Sequence, residues 1–172
     1  DRQVILSPIE LFELRKEAVV EMMQKKVTAV MISTKGRYAL RVMIDLAEHQ
    51  TGEYIPLKAI AQRQGISEKY LESILKALVR ENLLTGVRGK GGGYRLTRAP
   101  ETYTVGEILR LTEGSLAPVT CLETPDNTCP RAPECITLPL WKRIEAAVNS
   151  VVDNVTLADL ISDHENGGDY VI

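Results

Sequence analysis

"GISEKYLESILKALVRENLLTGVRGKGGGYRLTR", residues 65–98, is the stretch that decides the fold. Gly65 suits the left-handed residue that stops one helix, and Ser67 can cap the next. Leu71, Ile74, Leu75, Leu78 and Leu83 then form an apolar stripe at helical spacing. Beyond Leu84 the pattern changes. Val87 on one side and Tyr94 and Leu96 on the other read as short strands around a glycine-rich turn, a β-hairpin.

Upstream, from Ser33 to about His49, Leu40, Met43, Ile44 and Ala47 give a second buried stripe. Pro56 reads as the first residue of a helix, "PLKAIAQRQG", that ends at Gly65. Two helices joined by "GIS" make a helix-turn-helix signal, and the basic hairpin after them adds a wing. Downstream, Thr104 and Glu107 in "TVGEILRLTEG" predict a capping box opening another helix. Trp141, Ile144, Val148, Val151 and Val155 alternate three and four apart, a heptad-like seam expected to pack on a partner helix rather than within one chain. The expected fold class is mostly α: a winged helix-turn-helix domain with a β-hairpin wing, plus a long C-terminal dimerisation helix. The expected divisions are an extension over 1–30, the DNA-binding domain over 31–103, a linker helix and cysteine loop over 104–137, a dimerisation helix and short terminal helix over 138–162, and a flexible tail over 163–172. In the extension, Ile9, Phe12, Val19 and Met23 lie loosely at helical spacing, and the compact domain is expected to begin at Met31.

The net charge of −2 hides a polarity. Residues 33–98 carry twelve Lys/Arg against six Asp/Glu, whereas residues 101–172 carry four against twelve. A polyanion partner for the first half is one reading of that asymmetry; two solvated surfaces of different sign is the other. No run of 18 apolar residues exists, so no transmembrane helix and no membrane partner are expected. Residues 1–30 lack the ordered features of a signal peptide, and the sparse cysteines point to the cytoplasm. Only two histidines are present and no acid pair sits in a cleft-like pattern, so an enzyme is not expected.

A helix N-terminus can enter the DNA major groove with its first side chains on base edges. Here those are Ser67, Glu68, Lys69, Tyr70, Glu72 and Ser73. Ser and Lys reach bases or phosphates, while a Glu accepts from cytosine and repels phosphate, adding discrimination rather than affinity. Tyr70 suits partial core packing equally well. Arg88 and Lys90 lie among the hairpin glycines, where the backbone can approach DNA and an Arg suits a narrow minor groove. The "GKGGG" segment is not a P-loop, because Lys90 is followed by Gly91 rather than Ser or Thr.

"STKGRYALRVMIDLA", "IAQRQGISEKYLESILKALVRENLL", "VRGKGGGYRLTR", "TVGEILRLTEG" and "LWKRIEAAVNSVVDNVTLADLI" together resemble the IscR-type regulators, the bacterial winged-helix family that also contains NsrR and CymR. The likeness covers about residues 31–162, and residues 1–30 have no counterpart in it. The resemblance implies a homodimer docked through the long C-terminal helix and bound to a two-fold site on double-stranded DNA. It implies base-reading roles for Ser67, Lys69, Tyr70 and Glu72, a minor-groove role for Arg88, and backbone contacts for Lys35, Arg37 and Tyr38.

All three cysteines, Cys121, Cys129 and Cys135, fall in "CLETPDNTCPRAPEC". Three is an odd number for a disulfide framework. Three thiolates in one loop can hold an iron–sulfur cluster, which normally takes four ligands, or a zinc ion; two of them can also form a thiol switch. Cluster-sensing members of the resembled family place three cysteines in this loop, which implies a 2Fe-2S or 4Fe-4S cofactor on these residues. The first gap of C-x7-C-x5-C is longer than in the best-known member, and Leu138 stands where that member has a histidine ligand. Tyr38 stands where another branch has an acidic ligand. Glu123, Asp126, Glu134 or an exogenous ligand are the remaining options, with His49 read as a helix-end residue and His164 as part of the tail. A cluster-free regulator of the CymR kind, acting through a thiol switch or a protein partner, is the alternative function.

Overall fold

A computed structural model describes residues 32–127 and 129–166, so the helical pattern expected over 1–30 lies outside the described residues. Three helices open the fold. Helix α1 (Thr34–Glu48) is capped by Ser33, whose hydroxyl oxygen accepts the Gly36 N–H at 3.2 Å. Helix α2 (Leu57–Gln64) ends at Gly65 with φ 63°, as its sequence predicts. Pro56 is extended and sits at the N-cap, one residue before its expected place inside the helix. Helix α3 (Glu68–Arg80) starts from Ser67, which accepts the Tyr70 N–H.

Helix α3 stops before "NLL". Asn82 adopts φ 59°, the left-handed conformation that Asn tolerates, and the Asn82 and Leu83 N–H groups bond back to Val79 and Leu78. Leu83 is therefore buried from beyond the helix rather than on it. Strands β1 (Leu84–Val87) and β2 (Gly93–Leu96) then pair antiparallel, with Leu84 opposite Leu96 and Val87 opposite Gly93. Ile55 adds a bridge to the outer side of β2, exchanging N–H and carbonyl bonds of 2.9 and 2.8 Å with Tyr94. A side chain at position 93 would strike the Ile55 carbonyl, so this edge requires glycine.

Helix α4 (Val105–Glu113) forms half of the expected capping box. Thr104 accepts the Glu107 N–H at 3.2 Å, but the Glu107 carboxylate turns away to Arg98. A full reciprocal box forms instead between Thr156 and Asp159, opening α6 (Leu157–Glu165). That helix runs through Glu165, past the expected start of the tail at 163. Helix α5 (Leu138–Val152) lies between them and has no buried residue. No helix among the described residues is long and apolar enough to cross a membrane.

One core joins these parts. Val42, Met43, Leu46, Ile60, Leu71, Ile74, Leu75 and Leu78 pack with Tyr103, Ile108 and Leu157, all under 2% exposed. Each such Leu or Ile contributes about 1.5–3 kcal/mol by leaving water. The expected boundary at 103 therefore does not separate two cores. Helices α4 and α6 both pack on α1 and carry the cysteine loop and α5 on the same base.

Candidate nucleic-acid interface

Ser67, Lys69, Tyr70 and Ser73 are exposed along the start of α3, with Glu72 half-buried beside them. Tyr70 also packs. Its ring meets Tyr38 of α1 edge-on, centroids 5.9 Å apart, and the Arg41 guanidinium lies 5.3 Å from the Tyr38 centroid. Arg41 itself is fixed to the end of α2 by a 2.8 Å bond to the Gln64 carbonyl. Thus the N-terminal part of α1, with Lys35 and Arg37, is held next to the N-terminal part of α3. Besides Ser67, which caps α3, and Tyr70, two more of the expected readers are engaged within the chain. Ser73 donates its hydroxyl to the Tyr70 carbonyl at 2.6 Å, and Glu72 pairs with Lys76 at 3.1 Å.

The wing places Arg88 and Lys90 at an exposed tip. Gly89 and Gly91 there have φ 96° and 77°, which a side chain would strain, and the Gly92 N–H closes the turn on the Gly89 carbonyl at 3.0 Å. An open groove runs between wing and recognition helix, lined by Glu72, Lys76, Arg80, Val87, Arg88 and Tyr94. Lys76 and Arg80 are cations of this groove that sequence reading missed. Their signal was present: both lie on the helix that carries Glu72, four and eight residues further on.

The wing's return strand is anchored by a residue also missed in the sequence. Tyr103 is fully buried, and its hydroxyl donates to the Leu83 carbonyl at 2.9 Å while accepting the N–H groups of Thr97 and Arg98 at 2.9 and 3.0 Å. Arg98 lies over the Tyr103 ring at 4.2 Å, and one of its nitrogens donates to both Glu107 oxygens at 2.6 and 2.7 Å. The helix-turn-helix has its own buried anchor. Asp45, 1% exposed, accepts from Arg63 at 2.8 and 2.7 Å and from Gln64 at 2.9 Å. Burial pushes its carboxyl up, but the bonds from Arg63 and Gln64 and the Arg63 charge prevail and hold it below the ordinary carboxylate value.

The cysteine loop links α4 to α5 through short 3-10 turns at Thr120–Leu122 and Ala132–Glu134. Cys121, Cys129 and Cys135 are free, half-exposed thiols. The Thr137 hydroxyl, 3.5 Å from the Cys135 sulfur, lowers that thiol's pKa, aided by the N–H groups of Thr137 and Leu138 at the start of α5. As a donor set, three cysteines in one loop suit a soft metal or an iron–sulfur centre. As geometry they are not preassembled: among the described residues no three His, Cys, Asp or Glu side chains gather closely enough to hold a metal ion. His49 is a helix-end residue, donating to the Asp45 carbonyl at 2.8 Å. His164 lies in the last turn of α6 rather than in a tail.

The apolar stripe of α5 is split by its surroundings. Trp141, Ile144 and Val148 are half-buried, whereas Val151 is 61% and Leu140 49% exposed. Val155 is not part of the helix. It sits in the link to α6, where its carbonyl accepts the Val105 N–H at 2.9 Å. The outward apolar positions are thus Leu140, Ala147 and Val151, with Ile144 half-buried between them. Arg110 of α4 holds the far end of α5 through Asp153 and Asn149, at 2.5 and 2.7 Å.

Comparison with known proteins bears on the fold and the family. The profile of the Rrf2 family, described as an iron-dependent transcriptional regulator, matches residues 32–163. The HTH-type transcriptional regulator IscR of Vibrio vulnificus is 36% identical over 134 residues, 78% of this chain and 79% of its own. The HTH-type transcriptional regulator CymR of Bacillus subtilis is 43% identical over 131 residues, 76% of this chain and 89% of its own. The solved structure of that CymR, called the global cysteine regulator, superposes with a TM-score of 0.63, covering 77% of this chain and 96% of CymR. The IscR of T. potens gives a TM-score of 0.63 at 36% identity, covering 80% of this chain and 90% of its own.

Proposed function

Because the chain belongs to the Rrf2 family of transcriptional regulators, we propose that it is a cytoplasmic, homodimeric, sequence-specific DNA-binding regulator controlled through its cysteine loop. The recognition helix presents Ser67, Lys69 and Tyr70 to a major groove, with Glu72 modulating preference from within its pair with Lys76. Lys35, Arg37 and Tyr38 follow the backbone, and Arg88 probes the adjoining minor groove with Lys90 beside it. The exposed apolar face of α5 meets the same face of a second copy, giving the two-fold symmetry that a palindromic site needs.

In this reading Cys121, Cys129 and Cys135 supply three thiolate ligands of an iron–sulfur cluster. Such a cluster, when bound, supplies redox chemistry and a ligand position open to exchange. The loop offers carboxylates at Glu123, Asp126 and Glu134 for a fourth ligand, while Leu138 has no donor atom. One observation carries the reading: the chain's three cysteines are all half-exposed and outside any disulfide, on the segment between the DNA-binding core and α5. Iron, sulfide and zinc analysis of anaerobically purified protein, with its visible spectrum, tests it. Stoichiometric iron and sulfide with broad visible absorbance is the expected result. Colourless protein carrying zinc, or no metal, would remove it.

A second reading has its own support. The lowered pKa of Cys135 suits a cluster-free thiol switch of the CymR type. Colourless, metal-free protein whose DNA affinity changes on mild oxidation is the outcome that selects it.

A further inference from the structure

The first turn of α1 is electrostatically incomplete by itself. It contains Lys35 and Arg37 at the positive end of the helix dipole and no acidic residue. The missing negative charge arrives from 80 residues away. Glu113 accepts the Ser33 hydroxyl at 2.7 Å and the Ser33 backbone N–H at 3.2 Å, and Ser33 in turn accepts the Gly36 N–H. The space for that carboxylate exists because residue 36 is a buried glycine: a Cβ there would collide with Glu113 Oε1 and crowd Thr112 and Ile32.

Glu113 occupies a special place in the chain. It is the last residue of α4, and Gly114, with φ 82°, turns the backbone out into the cysteine loop. At the start of the next turn of α1, Tyr38 packs on Tyr70 of the recognition helix. A continuous run of contacts therefore joins the root of the loop, the first turn of α1 and the base-reading helix.

We propose that Glu113 is a positioning residue for DNA: from the root of the cysteine loop, its carboxylate sets the first turn of α1, with Lys35, Arg37 and Tyr38, at the orientation that selective DNA binding requires. The proposal rests on the DNA-binding reading above. Glu113 need touch no DNA for this role, because it acts through Ser33 and the helix end that Ser33 caps.

The test uses the full chain and a duplex that the parent protein selects from a random pool, against a shuffled duplex of equal length, by fluorescence anisotropy. Glu113→Ala should weaken binding to the selected duplex about tenfold, the scale of one lost charge-assisted hydrogen bond, and leave the shuffled duplex within about twofold. Glu113→Gln keeps an oxygen for Ser33 to donate to but loses the charge, and should fall between the parent and Glu113→Ala, about threefold weaker than the parent on the selected duplex. Gly36→Ala leaves the charge of Glu113 unchanged but expels it from the cap, and should reproduce the loss if Glu113→Ala does not fold. A merely structural role would lower the melting temperature without changing the ratio of selected to shuffled affinity. That unchanged ratio, in folded Glu113→Ala or Gly36→Ala protein, overturns the proposal while leaving the DNA reading intact. Failure of the parent to enrich any duplex overturns the DNA reading itself, and this proposal with it.

Discussion

The Tyr38 ring meets the Tyr70 ring edge-on, with centroids 5.9 Å apart and planes at 73°. Tyr70 is still 37% exposed, so its packing on Tyr38 leaves ring surface open for the DNA contact proposed for it. The pair fixes α1 against the recognition helix. Tyr70→Ala should cost about 1 kcal/mol of stability through the lost ring pair, and weaken selective DNA binding beyond what that stability loss explains. Tyr70→Phe keeps the ring contact. Thermal melts and anisotropy on both variants separate the ring from the hydroxyl, and a Phe variant with parental affinity assigns the DNA role to the ring alone.

Arg88→Ala should weaken binding and relax preference for A·T-rich steps, because it removes a charge suited to a narrow minor groove. Lys90→Ala should act more uniformly, reducing the salt slope by about one unit at most. Anisotropy over a salt series reads both effects. Undiminished binding of Arg88→Ala to every sequence would show that the wing tip does not enter the groove.

The outward face of α5 makes a distinction between neighbouring valines. Val151, 61% exposed, belongs to the face assigned to the second copy, whereas Val148 is half-buried. Val151→Glu places two like charges near a two-fold axis and should dissociate the dimer, at a cost of a few kcal/mol, with little change in monomer stability. Val148→Glu should lower both. Sedimentation velocity with thermal melts checks this, and a fully dimeric Val151→Glu protein would locate the interface elsewhere.

Each of Cys121→Ala, Cys129→Ala and Cys135→Ala should abolish visible absorbance and iron content while leaving the circular dichroism unchanged, since none of the three thiols is a core residue. Leu138→Ala should retain the absorbance. Loss of colour in Leu138→Ala but not in a cysteine variant would refute the ligand assignment.

Asp45 gives the fold an acid-sensitive point. Its folded carboxyl titrates below the ordinary value of 3.8, so the stabilisation from its ionised form is complete above that value and is lost as pH falls through the folded one. Stability should therefore decline below about pH 4, and Asp45→Asn should flatten that acid limb. At neutral pH the substitution should cost about 2–3 kcal/mol, less than for a fully buried pair because Arg63 is 32% exposed. Urea unfolding at a series of pH values measures both, and an acid limb identical in the Asn variant would mean that Asp45 is not its source.

The sequence by itself determined what depends on a few adjacent residues. Gly65 ends α2 and Ser67 caps α3 because dihedral preference and a side-chain oxygen act locally. The wing was legible for the same reason, its strand residues flanking glycines that a left-handed turn demands. The single cysteine loop was legible from position alone. Only the tertiary structure decided which partner each polar group takes. Glu107 left its local box for Arg98, Glu113 capped a helix 80 residues upstream, and Val155 left the apolar seam to bond α4 through its backbone. Ile108 and Leu157 entered the core of the DNA-binding half from beyond its apparent end. Periodicity shows that a face is apolar, but a carboxylate, a phenol or a valine at an element's edge has several satisfactory partners. The choice among them is made by packing between segments distant in the chain, which no local pattern encodes.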